Sequence, residues 1–302
     1  MKTPQEFFQN LNDLLDLNIY LKREDLHVFG SHKGRSIPFM IKKYFKEENI
    51  SDFVISSSGN AALASIHAIQ DHNINNDKII KLTIFVGLHI NKEKLNRLTA
   101  IINFDKNIEL KQVEKPKQSA FQIQKNNSNI KYLRQSTDDN ALIGYNELAK
   151  ELAHIPNLKA IFIPTSSGTT AEALGITFGK MLEQNKIEKL PELHIVQTST
   201  CHPIAENFDK DIIEKEKSIA GAIVDKIAHR KENVIKEIKK SSGSAWIINN
   251  KEIKNAQNII KDNCNLAIST NSALSMAGLV KAKNKNWNFT KDDALVCLIT
   301  GL

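Results

Sequence analysis

The chain has 302 residues, 41% of them hydrophobic and 25% charged, enough for two domains or one large α/β unit around a sizeable core. Its net charge of +7 is spread in short pairs (Lys22-Arg23, Lys42-Lys43, Lys239-Lys240) without interleaved aromatics, which argues against a nucleic-acid-binding surface. No apolar run approaches the ~20 residues that span a bilayer, and Met1–Phe8 has no signal-peptide core, so a cytoplasmic protein without a membrane partner is expected.

In chain order, short apolar runs predict strands at Ile19–Leu21, Phe53–Ser56, Lys81–Val86, Ile108–Gln112, Ala160–Pro164, Leu193–Thr198, Ala245–Ile248 and Leu295–Ile299. Between them, helical periodicity predicts helices at Ile37–Glu48, Ala61–Asp71, Lys92–Asn103, Ser119–Asn126, Asn140–His154, Thr169–Asn185, Val224–Lys240, Lys251–Lys261 and Asn271–Lys283. Polar, unpatterned stretches at Asp71–Lys78, Asn103–Asn107, Lys125–Asn129 and Asn207–Lys217 read as loops. This alternation argues for an α/β fold of mostly parallel sheets with helices on both faces. Ligands in such folds bind at the carboxyl ends of strands, so function is sought in strand-to-helix loops.

Cys201, Cys264 and Cys297 are far apart and form no Cys-x-x-Cys pair, which indicates neither a metal site nor a disulfide framework. Buried or bystander thiols are expected, with Cys201 beside His202 the one of interest.

Four segments carry chemistry. In the first, a short strand runs through Lys22-Arg23-Glu24-Asp25-Leu26 into Gly30-Ser31-His32-Lys33, which puts a lysine at a helix start. The helix dipole disfavours a cation there, and a neutral lysine is a usable nucleophile toward a carbonyl compound. In the second, Ser56-Ser57-Ser58-Gly59-Asn60 follows a strand. Serine and asparagine suit helix caps, and exposed N–H groups at such a start bind carboxylates. The third, Pro164-Thr165-Ser166-Ser167-Gly168-Thr169-Thr170, is a small, hydroxyl-rich loop between a buried strand and a helix, which forms a phosphate cradle. No Gly-Lys-Ser/Thr follows it, so a nucleotide P-loop is disfavoured. The fourth is a buried strand ending in Thr300-Gly301. Taken singly, the second and third are also ordinary capped helix starts, and the fourth an ordinary strand end.

Together and in this order, these segments resemble the fold-type II pyridoxal-phosphate enzymes of the tryptophan-synthase beta type, across nearly the whole chain. The motifs are most similar to threonine synthase, cysteine synthase and dehydratase-like members. The resemblance implies pyridoxal 5'-phosphate as cofactor, Lys33 as its attachment point and catalytic base, and His32 as a phosphate contact. It also implies Ser57, Ser58, Gly59 and Asn60 as the loop that holds the substrate carboxylate, with Asn60 touching the cofactor. Ser166, Ser167, Gly168, Thr169 and Thr170 would cradle the phosphate, and Thr300 would place its hydroxyl on the pyridine nitrogen. Ser269–Leu279 resembles a helix cap beside the cofactor ring, with no catalytic role assigned. His27 and His202 read as bystanders; Glu24 and Asp25 are candidate catalytic carboxylates, but charged residues in a loop are usually solvated.

Three departures stand out: a single glycine in the phosphate loop, Gly34 after Lys33, and a chain end close behind Thr300. Residues Val54–Ala62 contain no glutamate, which disfavours tryptophan synthesis. The resemblance further implies a smaller domain, 39–138, inserted into a larger cofactor-binding domain made of 1–38 and 139–302, and a homodimer. The expected activity is beta/gamma elimination or replacement on an amino acid, threonine synthase-like or serine/threonine dehydratase-like. The alternatives are a cysteine synthase-like beta-replacement, or a catalytically silent protein that binds the cofactor or an amino acid.

Overall fold

The computed structural model describes residues 2–211 and 216–301. Of the polar stretch Asn207–Lys217, residues 212–215 lie outside the described residues. The chain divides into two compact units, Met1–His27 with Tyr145–Leu302, and Val28–Gly144. The second unit therefore opens before Lys33, where the sequence reading opens it at Phe39.

The first unit begins with β1 (Gln5–Phe7), α1 (Gln9–Leu15) and β2 (Asn18–Arg23). The inserted unit runs through α2 (Lys33–Glu47), β3 (Asp52–Ser56), α3 (Asn60–Asn75), β4 (Lys81–Gly87), α4 (Lys92–Ile102), β5 (Ile108–Val113), α5 (Pro116–Asn126), β6 (Ile130–Tyr132) and α6 (Asn140–Ile143). The first unit then resumes with α7 (Asn146–Leu152), β7 (Leu158–Pro164), α8 (Thr169–Glu183), β8 (Glu192–Thr198), α9 (Lys231–Lys240), β9 (Ser244–Ile248), α10 (Asn250–Cys264), α11 (Thr270–Asn284) and β10 (Ala294–Ile299).

The first unit's sheet has the order β1-β2-β10-β7-β8-β9. Only β1 is antiparallel to its neighbour. Strand β10 lies between β2 and β7, and all six of its residues are buried. This explains its unbroken apolar run, since a parallel strand covered on both faces needs no polar alternation. On one face of the sheet, Ile19, Leu21, Ala160, Phe162, Leu295 and Cys297 pack into one core with residues of α1, α10 and α11.

The inserted unit's sheet is wholly parallel, in the order β5-β4-β3-β6. Phe53 and Ile55 join Leu82, Ile84 and Val86 beneath α2, α3 and α4. Val54 and Phe85 point the other way, onto Ala120 of α5. The period-2 alternation of side chains across a strand divides them so. Each sheet thus presents the carboxyl ends of its parallel strands along one edge, where the strand-to-helix loops lie.

All eight sequence-derived strands are present. The short strands β1 and β6 and the helix α1 are additions to the sequence-derived set. The expected helix Asn140–His154 is broken at Gly144–Tyr145, where the Gly144 backbone presses on α2. The expected helix Val224–Lys240 starts only at Lys231. Upstream, Ala228 has a left-handed φ of 45°, and the Val224 and Asp225 amides are drawn onto a serine hydroxyl described below. The loop expected at Asp71–Lys78 begins later, because α3 runs on to Asn75.

Candidate active site

Lys33 is the first residue of α2, and His32 is its N-cap. The first turn is closed by Gly34 N–H donating to Ser31 O at 2.9 Å and Arg35 N–H to His32 O at 3.1 Å. Three contacts within the inserted unit fix this helix. Ser36 Oγ donates to Ala141 O at 2.8 Å. Tyr44 OH donates to Asp138 Oδ2 at 2.5 Å and accepts from Asn140 Nδ2 at 2.8 Å. Burial, followed by the bond to Asp138, pushes the Tyr44 phenol well above its ordinary value, so the hydroxyl keeps its proton as donor. The third contact is the Gly144 backbone against Arg35 and Ser36.

Ser31, two residues before Lys33, is fully buried, and its hydroxyl has no hydrogen-bond partner among the described residues. An unmade bond on a buried hydroxyl costs about 1–3 kcal/mol, so a buried polar atom without a partner marks a place where a ligand group or water completes the structure. The sequence reading names Ser31 only as part of the segment leading to Lys33 and gives it no role.

Ser57, Ser58, Gly59 and Asn60 follow β3 and are all half-buried. Gly59 is the N-cap of α3 and makes no side-chain cap bond. Ser57 Oγ accepts from Gly59 N–H at 3.3 Å, which tightens the loop. The expected capping by serine or asparagine does not occur, so the Ser58 and Asn60 side chains are not spent on the helix.

In the first unit, Gly168 caps the fifteen-residue α8 in the left-handed region, at φ 91°. A β-carbon there would also stand 2.6 Å from Val234 Cγ2. The one glycine of this loop is therefore required twice over, by conformation and by close approach. Thr169 and Thr170 are buried in the first turn, and Ser167 Oγ lies 3.0 Å from Thr169 Oγ1. Ser166 Oγ accepts from Val224 N–H at 3.2 Å and Asp225 N–H at 3.3 Å. It also donates to Asp225 Oδ2 at 3.5 Å, so the hydroxyl's two lone pairs and one proton are all engaged by the Val224–Asp225 segment. Behind the loop, buried Glu172 accepts from Arg230 Nη1 at 2.9 Å and Asn233 Nδ2 at 2.7 Å, which ties α8 to α9. Backbone amides at the start of a long helix, with hydroxyls around them, form a donor set suited to a phosphate.

Thr300 directly follows β10 and is buried, with its Oγ1 3.5 Å from Ser272 Oγ. Gly301 O accepts from Ser269 Oγ at 2.6 Å and Ser272 Oγ at 2.8 Å. Ser269 also caps α11. The Ser269–Leu279 segment thus holds Thr300-Gly301 in place, a role sequence reasoning does not assign. Thr198 and Ser199, at the carboxyl end of β8, are buried, and their hydroxyls have no hydrogen-bond partner among the described residues. No motif points to them.

Other residues are structural. Glu24 is not solvated: it is fully buried and accepts from Thr3 Oγ1 at 2.5 Å. Asp25 pairs with Arg23 at 2.7 Å. The three cysteines are free and buried. Burial pushes the Cys201 thiol up, and that of Cys264 to about 11, which keeps them from reacting as thiolates. No group of three or more metal-ligating side chains occurs among the described residues, and no described helix is long and apolar enough to cross a membrane.

A family model described as pyridoxal-phosphate dependent enzyme matches residues 1–301. No curated protein matches. Among solved structures, serine racemase from Dictyostelium discoideum is similar at 20% identity and a TM-score of 0.78, over 100% of this chain and 92% of that one. Threonine deaminase isoform 2 from Solanum lycopersicum, in its processed form, has 17% identity and a TM-score of 0.80, over 100% and 84%. An O-acetylserine dependent cystathionine beta-synthase from Helicobacter pylori has 16% identity and a TM-score of 0.73, over 100% and 93%. At these identities the likeness to solved structures shows the fold, α/β with two mostly parallel sheets.

Proposed function

The chain belongs to the family of pyridoxal-phosphate-dependent enzymes, with pyridoxal 5'-phosphate as its cofactor, and on that premise we propose that it carries out elimination or replacement at the beta or gamma carbon of an amino acid. The observation that carries this reading is the placement of Lys33 as the first residue of α2, after the buried, unpartnered Ser31 hydroxyl. The residues fit the group: an amine at a helix start, hydroxyls and backbone amides at the start of α8 for a phosphate, and a buried hydroxyl at Thr300.

When bound, the cofactor supplies the electron withdrawal that makes a carbon–hydrogen bond of the substrate acidic. In this reading Lys33 holds the cofactor, and its Nζ takes the alpha proton once the substrate has displaced it. His32 and Ser166–Thr170 bind the phosphate. Ser57, Ser58, Gly59 and Asn60 hold the substrate carboxylate, and Asn60 also meets the cofactor. Thr300 offers the pyridine nitrogen a hydroxyl, which leaves that nitrogen without the full charge a carboxylate partner would impose.

The preferred reaction is threonine synthase-like or serine/threonine dehydratase-like, and the similar folds of a threonine deaminase and a serine racemase support a hydroxy-amino acid as substrate. A cysteine synthase-like beta-replacement is the second reading, supported by the fold of the O-acetylserine dependent enzyme. By the same resemblance we propose a homodimer. Incubation of the loaded protein with L-serine, L-threonine, O-phospho-L-homoserine and O-acetyl-L-serine, with assay of keto acid and leaving group, tests the proposal. Release from at least one is expected. If none reacts and no alpha proton exchanges with solvent deuterium, the protein is a silent binder and the proposal fails.

A further inference from the structure

At the carboxyl ends of β3, β4 and β5 the inserted unit contains a cleft of about 610 Å³, lined among others by Ser58, Gly87, His89, Asn91, Lys94 and Glu114. That volume lies in the range of small-molecule sites and exceeds what the side chain of serine or threonine fills. A β-carbon on Gly87 would meet nothing within 4 Å, and the same holds for Gly59. Neither glycine has a positive φ. Neither conformation nor packing requires glycine at these two positions, and what their missing side chains leave is open volume. The side chains of His89, Lys94 and Glu114 have no hydrogen-bond or ion-pair partner among the described residues, so their polar ends are available to a ligand. Asn91 caps α4 by accepting from Glu93 N–H and Lys94 N–H at 2.9 and 3.2 Å, which fixes Lys94 in the first turn on the cleft's rim.

We propose that this cleft receives the far end of the substrate's side chain and selects substrates that end in an anionic group, a carboxylate or a phosphate, with Lys94 and His89 as its partners. The inference rests on the reading of Ser57–Asn60 as the loop for the substrate's alpha-carboxylate, since Ser58 belongs to that loop and lines the cleft. The starts of α3, α4 and α5 lie along the same sheet edge, and their dipoles add positive potential. Glu114 opposes it and limits how much anionic charge the cleft accepts.

Isothermal titration of the protein loaded with pyridoxal phosphate tests this with two ligand pairs, O-phospho-L-serine against L-serine and L-glutamate against L-glutamine. In at least one pair the charged member is expected to bind roughly tenfold more tightly, the scale of one charge-assisted hydrogen bond. Lys94→Ala should remove that preference and Glu114→Gln should enlarge it. Gly87→Leu, whose β-carbon meets nothing within 4 Å and whose side chain extends into the open volume, should abolish binding of the charged ligand. Equal affinities in both pairs, absence of binding by both charged ligands, or a preference untouched by Lys94→Ala would overturn the proposal. Borohydride trapping in the same preparation separates the two readings. Charge selectivity without cofactor on Lys33 upholds the cleft and defeats the proposed function, and cofactor on Lys33 without charge selectivity does the reverse.

Discussion

The Gly144 backbone lies so close to Arg35 that a β-carbon on Gly144 would stand 2.6 Å from the Arg35 carbonyl oxygen, and equally 2.6 Å from Ser36 Cα. Gly144 itself has ordinary right-handed angles, φ −60° and ψ −20°, so alanine there meets no conformational strain, only the backbone of α2 two residues from Lys33. Gly144→Ala should therefore act by displacing the first turn of that helix. It is expected to cost about 1–3 kcal/mol in denaturant unfolding, the range for an inserted methyl group. It should also slow the reaction of Lys33 with pyridoxal phosphate. Unchanged stability and rate would show that this contact does not set the helix.

The Glu172–Arg230 pair holds α8 against α9 behind the Ser166–Thr170 loop, with both side chains about 5% exposed or less. Breaking a buried ion pair removes the opposite charge from a desolvated site, at a cost of up to about 3–5 kcal/mol. Glu172→Gln keeps the shape and an acceptor for Asn233 but removes the charge opposite Arg230. A fall in the urea midpoint and weaker binding of pyridoxal phosphate are expected. A change in stability alone would separate the helix packing from the loop.

The Ser31 hydroxyl is buried without a partner, so its removal should not harm the cofactor-free protein. Ser31→Ala is expected to leave that form's unfolding free energy equal or up to about 1 kcal/mol higher, by relief of an unmade hydrogen bond. A marked loss would mean that an ordered water already completes the bond.

His194 gives the fold a pH dependence of its own. Trp246 Nε1–H donates to its Nδ1 at 3.0 Å, so its proton sits on Nε2, 3.2 Å from Glu192 Oε2. Burial pushes the imidazole below its ordinary value of 6.5, against the pull of Glu192. Above pH 6.5 both folded and unfolded chains carry it neutral. Below that, the unfolded chain takes up a proton that the folded chain resists, so stability falls as the pH falls. His67, also lowered by burial, acts in the same sense. Thermal melts between pH 7.5 and 5.5 should show a decline in Tm that His194→Gln reduces without abolishing. An equal slope in both proteins would contradict this.

Much of this is legible in the sequence because parallel strands buried on both faces write themselves as apolar runs. β7, β8 and β10 are visible for that reason. β1 and β6, three residues each, are too short to show a period, and α1 gives no capping signal, for its N-cap Phe8 bonds no amide through its side chain. Residue type and order single out the segments around Lys33, Ser57–Asn60 and Ser166–Thr170 as candidates. What cannot be read depends on contacts far apart in sequence. The break at Gly144 needs α2, roughly a hundred residues earlier, and the strap at Val224–Asp225 needs Ser166. Glu24 looks like a loop charge until Thr3 is seen beside it. The lone glycine of the Ser166–Thr170 loop looks like an impoverished motif, yet only its φ and its distance to Val234 show why it is the one that must be glycine.

The central claim, that Lys33 carries the cofactor, is tested most directly by borohydride reduction of the purified protein with stoichiometric pyridoxal phosphate, followed by peptide mapping. One phosphopyridoxyl group per chain on Lys33 is expected, together with a visible absorption band that the reduction bleaches and that Lys33→Ala lacks. A label scattered over exposed lysines, or a band that survives in Lys33→Ala, would contradict the assignment.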